Sequence, residues 1–381
     1  MRAAQPVPLA VAAALAVALG AAVWPQGPRI AALAAIGLLL GATLHHASFG
    51  FASAYRRLLE GRGVQPVRAQ ILMLAVATVL FAPVLSQGAW FGREVVGAIA
   101  PAGMQVAAGA FLFGIGMQLA GGCGSGTLYT AGSGQLRTAV TLVLFCAGSF
   151  WASLDMEFWG RLPAPEPISV GEHVGWPAAV SIQLAVLAAL HALLGRLPGA
   201  RTDAPPAPAP GGDRFWRGPW PLAAGALVLA ALNLLTLIVA GHPWSITWAF
   251  ALWGAKVARM LGWEPGADGF WSADFQRDAL DASLFADVTS VMDIGIVAGA
   301  FAAASIAGGF RPRLGPSPRA VLAAALGGLA MGYGARIAYG CNIGAFFSGV
   351  ASTSLHGWLW IAAALPGGWV GLRLLHLIAP R

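Results

Sequence analysis

The chain has 381 residues, 58% of them hydrophobic and only 10% charged, with a formal net charge of +7. Soluble domains carry about 25% charged residues, so the composition excludes one and makes this an integral membrane protein. The basic excess does not point to nucleic acid, because the arginines fall in short clusters between apolar runs, as positive-inside topology requires.

In chain order the apolar runs predict ten helical spans, near 7–23, 30–51, 69–86, 103–120, 138–154, 176–194, 220–240, 288–310, 319–336 and 356–377. Runs of about 20 residues are long enough to cross a hydrocarbon core of about 30 Å. Outside a closed barrel, only helices satisfy the backbone in lipid. The first run alone imitates a signal peptide, but the runs recur along the whole chain, so cleavage does not explain them. Arg56, Arg57, Arg62 and Arg68 between the second and third runs are expected on the cytoplasmic side. The acidic stretch from Asp155, "DMEFWGRLPAPEPISVGEH", is expected opposite them.

Midway lies "RLPGARTDAPPAPAPGGDRFWRG", with Arg196, Arg201, Arg214 and Arg217, whose Pro/Ala composition reads as a cytoplasmic tether. It divides the chain into a first membrane half, 1–195, a linker, 196–219, and a second half, 220–381. The segment "HPWSITWAFALWGAKVARML" from His242 carries Trp244, Trp248, Trp253, Lys256 and Arg259. It suits an interfacial amphipathic helix, with an embedded half-helix as the other option. A second acidic stretch starts at Asp268, and Arg311, Arg313 and Arg319 mark a further cytoplasmic loop.

Two glycine-rich segments, "GGCGSGTLYTAG" from Gly121 and "YGCNIGAFFSGV" from Tyr339, each hold a cysteine straight after an apolar run. Aligning Cys123 with Cys341 gives an offset of 218 residues. The same offset maps Gly109, Gly114, Gly116, Ala120, Gly122 and Gly126 onto Gly327, Gly332, Gly334, Ala338, Gly340 and Gly344. Such register without a gap indicates an internal duplication. The loops before the two copies fall on opposite sides of the membrane, as in inverted-repeat transporters with broken helices. The expected fold is therefore all-α, with about ten spans in two pseudo-symmetric, inverted halves whose Gly-Cys breaks meet at the bilayer midplane. Irregular backbone at that depth is tolerated where it is buried in protein or lines a cavity.

Cys123 and Cys341 are the leading candidates for contact with whatever passes, against the plainer reading of two small buried fillers. Gly122, Gly124, Gly126, Gly340 and Gly344 would supply tight turns and exposed amides that favour an anion. Arg336 is an intramembrane charge and a functional candidate by default, unless it snorkels or pairs with Asp293; its mate in the first copy is Gln118. Asn342 either orients an oxyanion or caps the next helix. Cys146 has no mate at the offset and reads as core. His45, His46, His191, His242, His356 and His376 make no ligand pair, and the cysteines lack metal spacing. "GIGMQLA" and "GYGARIA" lack the third glycine of a dinucleotide fingerprint, so neither cofactor nor metal is expected.

On "GGCGSGT" and "MGYGARIAYGCNIGAFFSG" the chain resembles the YeeE/YedE family of membrane sulfur transporters, from "SFGFASAYRR" at Ser48 to the terminal helix. The resemblance implies an hourglass of pseudo-symmetric halves with cysteine thiols contacting thiosulfate along the path. It also implies a bacterial cytoplasmic membrane and a cytoplasmic sulfur-carrier protein as partner. Where many members carry a further cysteine, this sequence has Gly50, which removes one relay point.

The leading expectation is import of a small sulfur-containing anion, thiosulfate, by a non-enzymatic transporter. A neutral thiol donates weakly to the soft outer sulfur while amides hold the oxygens. A membrane thiol-disulfide redox protein using Cys123 and Cys341 is the alternative, and a passive anion channel is the third reading.

Overall fold

A computed structural model describes residues 4–197, 214–266, 269–312 and 317–379. Most of the 196–219 tether, with Arg201, lies outside them, as do Asp268 and Arg313. Ten helical segments among the described residues are long and apolar enough to cross a membrane, and each coincides with an expected span.

The first part of the chain runs α1 (Pro6–Val23), α2 (Pro28–Ala47), α3 (Phe51–Leu59) and α4 (Gln65–Gln87), then a hairpin of β1 (Ala89–Trp90) and β2 (Arg93–Glu94). It continues through α5 (Met104–Ala120), α6 (Gly124–Gly132) and α7 (Leu136–Leu154) to the short α8 (Met156–Gly160) and α9 (Val170–Val174). Next come α10 (Trp176–Gly195), α11 (Arg214–Arg217), α12 (Leu222–Ala240), α13 (Thr247–Met260), α14 (Asp274–Asp281) and α15 (Val288–Ile306). Last are α16 (Pro318–Ile337), a π-helix (Asn342–Phe347) that continues into α17 (Ser348–Ala351), and α18 (Leu355–Ile378).

The sequence sets the starts of these helices locally. Pro occupies the first turn of α2, α10 and α16, where its missing N–H costs nothing. Ser317 and Asp287 cap α16 and α15 by accepting from the Ala320 and Ser290 amides.

At the centre α5 and α16 pack on each other, with α7 along α16 and α18 along α5. Around them α2 lies against α15 and α12 against α4, while α1 flanks α15 and α10 flanks α4. Lipid-embedded helices gain no hydrophobic drive from meeting one another, so close backbone contact takes its place. A methyl at Gly116 would lie 2.6 Å from the Gly327 carbonyl oxygen, and one at Gly41 only 2.0 Å from that of Ile296. Rings fill the remaining core, with Phe113 5.3 Å from Trp360 and Phe145 4.7 Å from Phe250 between centroids.

The two ends of the bundle differ in charge. One gathers Arg56, Arg57, Arg62 and Arg68 with Arg311, whose backbone touches the α6–α7 turn at Gly134. The other carries the hairpin, α8, α9 and α14, tied down by hydrogen bonds from Trp271 to Ser153, Tyr333 to Asp155 and Trp248 to Asp287. There Arg259 donates to Asp281 at 2.6 Å and holds its carboxyl below the ordinary carboxylate range.

Of the two options for the His242 segment, the embedded half-helix is the one formed. Thr247, Ala249, Phe250, Ala251 and Leu252 are buried while Met260 is 82% exposed, so α13 points inward by its N-terminus and does not lie along the interface.

Candidate functional site

Four long helices end in a left-handed turn that leads into another helix, whereas α4, left-handed at Gly88, leads into the hairpin. The backbone turns left-handed at Ser48 after α2 (φ +48°), Gly121 after α5 (φ +77°), Gly241 after α12 (φ +82°) and Tyr339 after α16 (φ +58°). For residues with a Cβ this conformation costs about 1–2 kcal/mol, and it is retained at Ser48 and Tyr339. Within a few residues the chain resumes as α3, α6, α13 and the π-helix. The turns at Gly121 and Tyr339 belong to the two glycine-cysteine segments that share a sequence signature, whereas Ser48 and the Gly241–Ile246 run carry no repeated signature.

The N-termini of these four short helices converge. Cys123 caps α6, its sulfur accepting from the Gly126 amide at 3.5 Å and lying 3.4 Å from Ser125 Oγ. The Phe51 amide, which opens α3, is directed at the same sulfur. Cys341 caps the π-helix and accepts from the Ile343 amide at 3.5 Å, with the Gly344 amide also turned toward it. A methyl at Gly124 would stand 3.3 Å from Cys341 Sγ and 3.5 Å from Ile246 Cγ2, so the first break meets the second and the entrance to α13. The Ser348 hydroxyl donates to the Trp244 carbonyl at 2.9 Å and completes the ring of contacts. Both cysteines are free thiols with no solvent exposure.

Around this junction several polar atoms are buried without a partner: Tyr55 Oη, Thr127 Oγ1, Trp244 Nε1 and both amide atoms of Asn342. Tyr55 sits beside Asn342. Buried polar groups are ordinarily satisfied, and each exception calls for a cause. The sequence left Asn342 open between an oxyanion contact and a cap; the cap is Cys341, and the Asn342 amide faces the Tyr55 hydroxyl.

Two cavities approach from opposite ends. One of about 280 Å³ at the acid-rich end is lined by His242, Ser245, Thr289, Arg336, Tyr339 and Gly340, among others. The other, about 330 Å³ at the arginine-rich end, is lined by His45, His46, Ser48, Tyr129, Ser133 and Arg217, among others. His45 Nδ1 lies 2.8 Å from Ser133 Oγ there.

The remaining candidates fall as follows. Arg336 lines the first cavity with its guanidinium carbon 4.8 Å from the Phe270 ring centroid and its Nε unpartnered. It makes no ion pair with Asp293, whose oxygens are both unpartnered. Gln118 sits toward the other end, taking Arg56 Nε at 3.1 Å on its side-chain oxygen and donating to the Ala52 carbonyl. The guanidinium on this side comes from Arg56 on α3, a residue the repeat offset could not reveal. Gly122 packs within its own turn, and Gly340, at φ +146°, leaves no room for a side chain because a methyl would meet the Ala345 nitrogen at 2.7 Å. A side chain at Gly344 would touch Ser245. Gly50, in place of the cysteine that the resemblance implies, caps α3 next to the Tyr129 hydroxyl. Cys146 lies on α7, half-buried, with its carbonyl against Gly254 of α13.

Residues 46–370 match a protein family described as sulphur transport. Over 357 residues the chain is 30% identical to the thiosulfate transporter TsuA of Spirochaeta thermophila, covering 88% of this chain and 95% of that one. The TsuA protein of Escherichia coli is 24% identical over 351 residues, 90% of this chain and 93% of its own. A probable transporter of Escherichia coli, YedE, is 32% identical over 164 residues, 43% of this chain and 39% of its own.

Proposed function

The chain belongs to the sulphur-transport family and is a transporter, not an enzyme; from that premise we propose that it imports thiosulfate along a path between the Cys123 and Cys341 sulfurs. The observation that carries this reading is the junction itself. Two thiols and a set of unused polar atoms are buried where two cavities from opposite ends approach each other.

Positive-inside topology makes the arginine-rich end cytoplasmic and the acid-rich cavity the entrance. There Arg336 faces the anion with a charge that no carboxylate neutralises. At the junction both sulfurs already accept amide hydrogens, which leaves each S–H to turn toward the soft outer sulfur of thiosulfate. Thiol hydrogen bonds are weak, so the anion is passed on and not trapped. Tyr55, Thr127, Trp244 and Asn342 offer donors to its oxygens, and Gly124 and Gly126 keep the space between the sulfurs free of side chains. Beyond Cys123 the anion reaches the His45–Arg217 cavity, from which a cytoplasmic sulfur-carrier protein would take it. With Gly50 at the head of α3 the relay runs through two thiols.

The packing supports two halves of five spans each, α1–α7 and α10–α18. The contact of α16 with α7 repeats as α5 with α18, that of α2 with α15 as α12 with α4, and that of α1 with α15 as α10 with α4. An odd number of spans per half turns the second half over, as in inverted-repeat transporters. On this assignment the division falls in the acidic loop between α7 and α10, earlier than the Pro/Ala-rich tether suggests. The bacterial cytoplasmic membrane is the setting this topology fits.

The redox alternative fits less well, because thiols with no exposed surface offer an electron-transfer partner no approach. Reconstituted vesicles given labelled thiosulfate, sulfate, sulfite or selenite test the proposal. Saturable uptake of thiosulfate that disappears in Cys123→Ala and Cys341→Ala is the expected result. Wild-type levels of uptake in both variants would overturn it.

A further inference from the structure

Asp293 is the one carboxylate among the described residues that is fully buried with both oxygens lacking a hydrogen-bond partner. It lies on α15 four residues after Thr289, which lines the entrance cavity, so the two share a face and Asp293 sits one turn deeper. Cys341 and Cys146 are both near enough to feel its charge. The carboxylate therefore lies near both the entrance cavity and the second thiol of the junction.

Among the described residues no basic side chain pairs with it, and Arg336, which lines the same cavity as Thr289, makes no ion pair with it. On its own helix the neighbour is Asp287, engaged with Trp248 and the Ser290 amide. From α13, Lys256 donates to the Leu280 and Ala282 carbonyls and Arg259 to Asp281. From α2, Arg29 is bound to the Val239 and Ala240 carbonyls, and His45 and His46 stand at the far end beside the inner cavity. Tyr129 of α6 and Arg217 of α11 also face that inner cavity, and α1 brings no ionisable side chain. Thiols on α7 and at the π-helix complete the surroundings. An ionised carboxylate buried without a partner is costly, so the charge state of such a group responds to any charge brought near it.

We propose that Asp293 is a proton-binding site that couples anion uptake to proton influx, an inference that rests on the transport reading above. An anion in the junction brings negative charge toward Asp293 and favours its protonated form. By reciprocity a proton on Asp293 strengthens anion binding. The proton comes from water in the entrance cavity and leaves to water on the arginine-rich side when the anion departs. One cycle thus moves one proton and one dianion inward, a net charge of minus one, and the proton offsets part of the work of bringing an anion into a negative interior.

Full-length protein in liposomes with an entrapped pH dye, the potential clamped with potassium and valinomycin, tests this under an inward thiosulfate gradient at equal pH. Wild-type protein should acidify the lumen by about one proton per thiosulfate, and its KM for thiosulfate should fall as external pH is lowered. Asp293→Glu should keep that ratio and Asp293→Asn should lower it at least tenfold, whatever the rate of uptake. Wild-type uptake with no acidification, or an Asn variant with the wild-type ratio, overturns the coupling. Wild-type vesicles that take up no thiosulfate overturn the transport reading, and the coupling with it.

Discussion

Replacing Gly124 with alanine places one methyl group in the contact between the two breaks. Its carbon would lie 3.3 Å from Cys341 Sγ, 3.5 Å from Ile246 Cγ2 and 3.7 Å from Cys341 Cβ. These distances are tight but not impossible, and the nearest atom is the end of a side chain, so the neighbours need to yield only a few tenths of an ångström. Overpacking of this mild kind costs about 1 kcal/mol. Gly41→Ala is the contrast, since its methyl would sit 2.0 Å from the Ile296 carbonyl oxygen and 2.7 Å from its carbon. Two backbones must then separate, and the cost rises to about 3 kcal/mol or more. Thermal unfolding in detergent should leave Gly124→Ala close to wild type and lower Gly41→Ala clearly. Uptake of labelled thiosulfate in vesicles should show Gly124→Ala reduced at least tenfold, a loss of about 1.4 kcal/mol or more in the transport barrier. A Gly124→Ala protein that is folded and transports at the wild-type rate would refute a path through this contact.

Other substitutions separate the roles. Cys123→Ser and Cys341→Ser keep a hydrogen-bonding group but lose the soft donor, and each should reduce thiosulfate uptake at least tenfold; Cys146→Ala, outside the junction, should stay within about twofold on the same assay. Arg336→Gln should raise the KM for thiosulfate about tenfold with little change in maximal rate, as expected when an attraction at the entrance is lost. Arg336→Lys should fall between, because it keeps the charge and gives up the stacking on Phe270. Asn233 accepts the Trp244 amide at 2.8 Å, so Asn233→Ala leaves a buried N–H unpaired and should cost about 1–3 kcal/mol. Asn233→Asp, which preserves the acceptor, should melt higher than the alanine variant.

The ten spans were legible because hydropathy is a property of composition over about 20 residues and needs no partner. The two Gly-Cys breaks were legible because the same residues recur at one offset. The breaks at Ser48 and after Gly241 were not, since their left-handed turns are imposed by packing: Gly225 against Ala47 near one, and the Glu94 carbonyl against Gly241 at the other. The Trp-rich face of α13 suggested an interface helix, yet Trp244 is buried and Trp253 donates inward to Ser290. Residue pattern reports which side chains are large and amphipathic, not whether another helix will cover them. Arg56 was hidden for a similar reason, because its guanidinium reaches Gln118 only through the fold.

The most direct measurement is a structure with bound selenosulfate, in which the anomalous signal of selenium marks the soft end of the anion. A selenium peak beside Gly124, in contact with Cys123 or Cys341, is the predicted result. Selenium bound only on the lipid-facing surface or next to Cys146, with the junction empty, would contradict it.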